Sequence, residues 1–123
     1  MMDFNESCGF EVIGFRNKQF VIEVDIREMH LNRYGFVHGG VLFTMLDTAL
    51  SRVFLDQEPP SRSKGVTLEM KINYLKTAHP GDRLTAYGIL TNKTRRTAFV
   101  EGHIENQNHE LIAKASATMM RIE

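Results

Sequence analysis

The stretch His38-Gly39-Gly40-Val41-Leu42-Phe43-Thr44-Met45-Leu46-Asp47-Thr48-Ala49-Leu50-Ser51-Arg52-Val53-Phe54-Leu55 decides how the rest of this sequence is read. Regular apolar–polar alternation is absent from it, and past Gly40 it holds neither glycine nor proline. At roughly 17 residues it is too long for an ordinary strand. It is apolar on most sides, which predicts a buried helix running from Gly39 to Leu55.

On either side of this segment the pattern has the period of strands. Residues 19–27 alternate Phe20, Ile22, Val24 and Ile26 against Val21, Glu23, Asp25 and Arg27, which predicts a half-buried strand. The preceding CGFEVIGF is a weaker strand or lead-in, and residues 28–37 are a loop. After the helix, residues 57–65 (QEPPSRSKG) are a loop by composition. Four more strands are expected at 66–75, 83–92, 97–106 and 110–121. Turns are expected at Pro80-Gly81-Asp82, Thr91–Arg96 and Asn106-Gln107-Asn108. The third strand pattern places Val66, Leu68, Met70, Ile72 and Tyr74 on one face.

Small residues recur on three of these strands: Ala86 and Gly88; Ala98, Val100 and Gly102; Ala113, Ala115 and Ala117. Such a face lets a bulky element come close. The only bulky element available is the helix, through Phe43, Leu46, Leu50 and Phe54. The expected architecture is therefore α+β, a curved antiparallel sheet wrapped around one long central helix, as a single domain over residues 1–123. Pattern alone leaves the strand order open.

Composition narrows the function. The chain has 123 residues, 15 Lys+Arg against 15 Asp+Glu, 42% apolar and 24% charged residues. A near-neutral chain lacks the positive potential typical of nucleic-acid binders. No apolar run reaches the roughly 20 residues of a membrane span. The single cysteine, Cys8, allows neither an intrachain disulfide nor a cysteine zinc site. A reducing cytoplasm is the simplest compartment. The expected partners include neither nucleic acid nor membrane.

The chemistry concentrates around the helix start. At His38-Gly39-Gly40, two glycines let a ligand approach the backbone, where free N–H groups and the positive helix end favour an anion or a polarised carbonyl oxygen. The plain alternative is a turn that needs glycine for its dihedrals. Asp47 sits mid-helix among Met45, Leu46, Ala49 and Leu50, where a carboxylate must be paired, exposed or useful. With Thr44, Thr48 and Ser51 it forms a polar stripe, either a solvent face or the lining of a cleft at a subunit interface. Gly40 and Asp47 are about 10 Å apart along the axis. One carbonyl cannot readily meet both on the same helix. Two antiparallel helices from two subunits would bring Asp47 of one to the helix start of the other, and a two-fold dimer would hold two such sites.

Asn32-x-x-Gly35-x-x-His38-Gly39-Gly40 followed by Leu46-Asp47-x-Ala49 resembles the hotdog-fold acyl-CoA thioesterases, in the group of the phenylacetate-pathway and 4-hydroxybenzoyl-CoA enzymes. The resemblance extends over about residues 20–121. It takes in Val66-Thr67-Leu68-Glu69-Met70, Pro80-Gly81-Asp82, Arg95-Arg96-Thr97-Ala98 and the closing ELIAKASATM. It implies hydrolysis of an acyl-CoA thioester to a free acid and coenzyme A, without metal or covalent cofactor, by a dimer or dimer of dimers. It further implies that Gly39 or Gly40 polarises the carbonyl through its N–H, and that Asp47 attacks directly or activates water. By the same resemblance Asn32 places the water or thioester, His38 binds near the sulfur or braces the loop, and Thr67 and Ser51 supply hydroxyls.

Lys93, Arg95 and Arg96 share one turn. They either meet the phosphates of coenzyme A or simply face water. His30 and His79 are expected on the surface. His103 and His109, six apart around a turn, have no acidic partner at ligand spacing, so neither a metal site nor a Cys/His nucleophilic pair is expected there, and Tyr34, Phe36 and Tyr74 are expected to be core, interface or acyl-pocket aromatics. Two rival functions are a non-catalytic acyl-CoA-binding domain and an enoyl-CoA hydratase. The second needs an Asp–His arrangement after the helix loop that is missing here.

Overall fold

A computed structural model describes residues 2–57 and 64–122. Most of the expected 57–65 loop lies outside the described residues. The helix forms where the sequence places it, as α2 (Gly39–Leu55). A short helix α1 (Phe4–Ser7), which the pattern did not suggest, opens the chain. The weak lead-in becomes β1 (Glu11–Arg16) and the alternating run becomes β2 (Gln19–Asp25). The strands after the helix are β3 (Gly65–Tyr74), β4 (Arg83–Lys93), β5 (Thr97–Glu105) and β6 (Leu111–Arg121). Each lies within one or two residues of its expected span.

These strands form one antiparallel sheet in the order β1-β2-β4-β5-β6-β3. The β4–β5 and β5–β6 connections are tight antiparallel turns. The Pro80-Gly81-Asp82 turn has a different job. It ends a crossing that carries the chain from β3 at one edge to β4 in the sheet interior, so β3 pairs with β6 and not with its sequence neighbour. Both β1 and β3 are edges.

The sheet curves around α2, and the small residues explain how closely. A Cβ at Gly88 would stand 2.6 Å from the carbonyl oxygen of Ala49. A Cβ at Gly102 would stand 2.9 Å from Leu50 Cδ2. Ala86, Ala98, Ala115 and Ala117 complete this floor, all buried. The helix meets it with Leu42, Met45, Leu46, Ala49, Leu50, Val53 and Phe54. Phe43 is not on this face. It is 38% exposed and points away from the sheet, because the floor admits the 42/46/49/53 row and position 43 lies outside that arc.

Strand β3 departs from simple alternation. Thr67 pairs with Met119 and Glu69 with Thr118, so Leu68 is an unpaired β-bulge residue. The extra residue changes the parity. Thr67 faces inward beside Met119, while Val66 and Leu68 face solvent. Beyond the bulge Met70 and Ile72 pack against the core. The single apolar face read from 66–74 is thus two half-faces.

The polar stripe is also divided. Thr44 Oγ1 donates to the Gly40 carbonyl at 2.8 Å, and Thr48 Oγ1 donates to Asn5 Oδ1 at 3.0 Å, tying α1 to α2. Of Met119 and Met120, only Met119 is fully buried.

Replacing Gly88 with Ala should lower stability by about 1–3 kcal/mol, because the Ala49 backbone cannot retreat from the new methyl group. The measurement is the urea midpoint at unchanged m-value. Ser116→Ala, exposed on the outer face of β6, should stay within about 0.5 kcal/mol.

Candidate active site

The loop before α2 is fixed by three of its own polar residues. Asn32 Oδ1 accepts from the Tyr34 N–H at 2.9 Å and the Phe36 N–H at 3.1 Å. Gly35 inside this turn has φ +83°, a left-handed conformation that suits glycine. The carbonyl end of Asn32 is therefore committed to the loop. Its amide end has no such bond, and Asn32 lines a groove of about 310 Å³ together with Phe36, Gly39, Leu42 and Tyr74.

His30 holds the loop from below. It is buried, against the expectation of a surface position. Its Nδ1 accepts from the Arg27 N–H at 2.9 Å, and its Nε2 donates to the Cys8 carbonyl at 2.6 Å. Its own carbonyl accepts from the His38 N–H at 2.9 Å. The ring satisfies two backbone groups that would otherwise be left unpaired in a partly buried place. His79 is exposed as expected, with its ring edge-on to Phe36.

His38 is the N-cap of α2. Its Nδ1 accepts from the Gly40 N–H at 2.8 Å, the task more often given to Ser, Thr or Asp. This separates the two glycines. The Gly40 N–H is taken by the cap, whereas the Gly39 N–H has no acceptor among the described residues. Gly39 is held from its other side. Its carbonyl accepts from Tyr74 O–H at 3.3 Å, and a Cβ on it would lie 3.3 Å from the Tyr74 ring.

Asp47 is two turns further along. It is half-buried, and its Oδ1 accepts from Thr67 Oγ1 at 2.7 Å. The β3 bulge turns Thr67 inward for this bond. Asp47 does not line the groove that holds Asn32 and Gly39. The chain thus brings Asp47 to Thr67, and Asn32 to Gly39 and Tyr74, but it does not bring these two groups together. Ser51, one turn past Asp47, is half-buried and has no hydrogen-bond partner among the described residues.

The surface around these groups is unusually apolar. Phe36, Phe43, Val66, Leu68 and Tyr74 are all exposed, the last two by more than half. Tyr34 is also exposed, stacked with its neighbour Arg33. Lys76 closes the far end of the groove in an ion pair with Glu110. The Lys76 ammonium and the Asn106 amide hold the Glu110 carboxyl below its usual range.

Lys93, the last residue of β4, and Arg95 and Arg96, on the β4–β5 turn, are exposed. Arg95 and Arg96 line a second concavity with Arg121, a residue that sequence reasoning missed because it sits alone at a strand end. Lys93 does not line it. His103 and His109 do have an acidic neighbour: Glu105 reaches His103 Nε2 at 3.2 Å and His109 Nδ1 at 3.4 Å. Positions two and four residues away meet here because the β5–β6 turn folds His109 back. Tyr87 stacks on His103, and burial, with Glu105 and Glu23 close by, pushes its hydroxyl above the usual range. Among the described residues no cluster of His, Cys, Asp and Glu could hold a metal ion. No helix among them is long and apolar enough to cross a membrane.

Known proteins resemble this chain in sequence and fold. The family profile of the thioesterase superfamily matches residues 34–113, about two thirds of the chain. A protein of Archaeoglobus fulgidus, provisionally described as an esterase, is 30% identical over 104 residues. The match covers 82% of this chain but only 63% of that protein, so the chain spans less than two thirds of this relative. The acyl-coenzyme A thioesterase PaaI of Escherichia coli is 26% identical over 113 residues, 89% of this chain and 78% of that one. Its solved structure superposes with a TM-score of 0.88 at 24% identity, covering 97% of this chain and 83% of that one. A thioesterase-type protein of Streptococcus pneumoniae, solved with coenzyme A, matches with a TM-score of 0.82 at 33% identity, over 92% of this chain and 88% of that one. The motif from Asn32 to Ala49, the sheet wrapped around α2 and these matches agree, and the chain belongs to the thioesterase superfamily, as a hotdog-fold member of the PaaI type.

Proposed function

We propose that the chain is an acyl-CoA thioesterase working as a homodimer, with each site assembled from two subunits. The observation that carries this reading is the separation within one chain. A carboxylate held by Thr67 and an open N–H at Gly39 are the two tools of thioester hydrolysis, and they sit two turns apart on one helix. Antiparallel packing of two α2 helices about a two-fold axis would bring Asp47 of one subunit to the groove of the other. The edge strand β3, with Val66 and Leu68 facing solvent, favours such a partner. Exposed apolar edges are liabilities when left uncovered.

In this reading the acyl carbonyl lies in the groove of one subunit with its oxygen on the Gly39 N–H. The positive end of α2 stabilises the charge that develops there. Asp47 of the partner takes a proton from water as the water oxygen attacks the carbonyl carbon. The tetrahedral intermediate collapses with cleavage of the C–S bond. The thiolate leaves with the electron pair and is protonated to coenzyme A, and the acid departs. If Asp47 attacks instead, an anhydride forms and water hydrolyses it. Thr67 orients the carboxylate in either case, and the Asn32 amide is available to the thioester or the water. Phe36, Leu42 and Tyr74 give the acyl group apolar walls. The supporting comparisons are the acyl-CoA thioesterase of E. coli and the coenzyme A complex of the S. pneumoniae protein.

Thiol release from a panel of aryl- and fatty acyl-CoAs tests the reading. Asp47→Ala should abolish turnover while the dimer persists in sedimentation. Turnover that survives in this variant rejects the mechanism. Coenzyme A binding without turnover in the unmodified protein would favour a binding domain instead. Thr67→Val, which keeps the shape and removes the hydroxyl, should lower kcat about tenfold.

Gly39→Pro provides a sharper test. Proline fits the first helical position, and His38 already has the extended backbone that a following proline prefers; the new Cβ would lie 3.3 Å from the Tyr74 ring, which must shift by a few tenths of an ångström, so an unchanged melting temperature is checked alongside the loss of the open N–H. Loss of that donor should lower kcat about 100- to 1000-fold. Mixing Asp47→Ala with Gly39→Pro subunits should restore about a quarter of normal activity, because half the random dimers carry one intact site. No recovery on mixing would place both groups in one chain's site.

A further inference from the structure

Tyr74 is the last residue of β3 and shares its parity with Met70 and Ile72, which both pack against the core. It therefore faces the helix side of the sheet. At the strand end its ring runs past the sheet to the start of α2 and lines the groove beside Gly39 and Asn32. The backbone behind the ring is held. Tyr74 pairs with Ala113, and the N–H groups of Leu75 and Lys76 both donate to the Ile112 carbonyl, at 2.9 and 3.1 Å.

The Tyr74 hydroxyl donates to the Gly39 carbonyl at 3.3 Å. That carbonyl belongs to the peptide joining Gly39 to Gly40, and the N–H of the same peptide donates to His38 Nδ1 at 2.8 Å. One peptide unit is thus gripped at both ends, in a chain that runs from Tyr74 to the His38 ring. Donation to the carbonyl polarises the peptide and strengthens the bond that its N–H makes. An accepting Nδ1 leaves the proton of a neutral imidazole on Nε2, so the chain also sets the tautomer of His38.

Two consecutive glycines at a helix start are where such a grip matters. Each has wide backbone freedom, and helix ends fray. The open N–H of Gly39 is aimed only as well as Gly39 itself is fixed. The cap fixes it from the loop side, and Tyr74 fixes it from the sheet. Strand β3 thus touches α2 at both groups of the proposed reaction, through Thr67 at Asp47 and through Tyr74 at Gly39.

We infer that Tyr74 is a positioning residue for thioester hydrolysis, its hydroxyl aiming the Gly39 N–H through the Gly39–Gly40 peptide. This inference rests on the thioesterase reading above and adds to it the group that aims its donor. At 3.3 Å the bond is longer than an ordinary O–H···O bond, so its loss should cost far less than loss of the donor itself.

Tyr74→Phe keeps the ring against the groove and removes the hydroxyl. It should lower kcat about fivefold to tenfold, with KM within about twofold and the melting temperature unchanged. A groove wall or a structural brace would move KM or the melting temperature instead. Added to Gly39→Pro, which has no N–H to aim, Tyr74→Phe should cost less than about twofold more. An unchanged kcat in the single variant, a loss confined to KM, or a full further loss in the double variant overturns the inference. Nuclear magnetic resonance reads the same grip without turnover. The Gly40 amide should exchange about fivefold faster in Tyr74→Phe than in the unmodified protein, and the His38 ring nitrogens should shift from one tautomer toward a mixture. Equal exchange with an unchanged tautomer overturns the inference. If the amide responds but the unmodified protein hydrolyses no acyl-CoA, the thioesterase reading fails and the kinetic role of Tyr74 with it, while the grip on Gly39 stands.

Discussion

The fold depends on how closely α2 can lie on the sheet. At Gly88 the helix backbone approaches to a distance that no side chain would permit, at Gly102 the Tyr87 carbonyl and the Leu50 side chain fill the place of a Cβ, and alanines on three strands keep the floor level. Small and large residues interleave across the inner face, Ile22, Ala86, Ile104 and Ala113 standing in one row over four strands, and Phe20, Leu84 and Met119 are buried with them. This close seat fixes the rotation of α2 about its axis. Leu42, Leu46, Ala49 and Val53 must face the floor, so Asp47 and Phe43 must face elsewhere.

With the helix rotation fixed, a single irregularity in β3 completes the carboxylate's setting. Without the bulge at Leu68, the alternation that buries Met70 and Ile72 would turn Thr67 to the outer face. With it, an inward hydroxyl meets Asp47 and two apolar side chains are sent outward at a sheet edge. The same local device orients the candidate catalytic group and makes the apolar edge that favours a second subunit.

The helix start shows polar residues divided between framework and chemistry. His30, the carbonyl end of Asn32, and His38 all satisfy backbone N–H groups of the loop or the first helical turn. What they leave over is small and specific: the Gly39 N–H and the Asn32 amide, both beside a groove with aromatic walls. A donor aimed into a site needs neighbours that hold it without competing for it. The His38 cap and the Tyr74 hydroxyl, on the two sides of Gly39, have that arrangement.

Local pattern alone determined the span of α2, the spans of β2 to β6 to within one or two residues, the turns and the small-residue floor. Each follows from periodicity or from a residue type with one backbone habit, and both act over a few neighbours. The grouping of Asn32, His38, Gly39, Gly40, Asp47 and Thr67 was legible because they lie on or beside that helix and match a family spacing. Only the tertiary structure decided the strand order, the outward turn of Phe43, the burial of His30, the meeting of Glu105 with His103 and His109, and the place of Arg121 beside Arg95 and Arg96. It also decided that His38 takes the N–H of Gly40 and leaves that of Gly39 open. These outcomes depend on which strands become neighbours, on one extra residue in one strand and on the angle at which a helix is seated. Such choices are made by contacts between residues far apart in the chain, which no local period records.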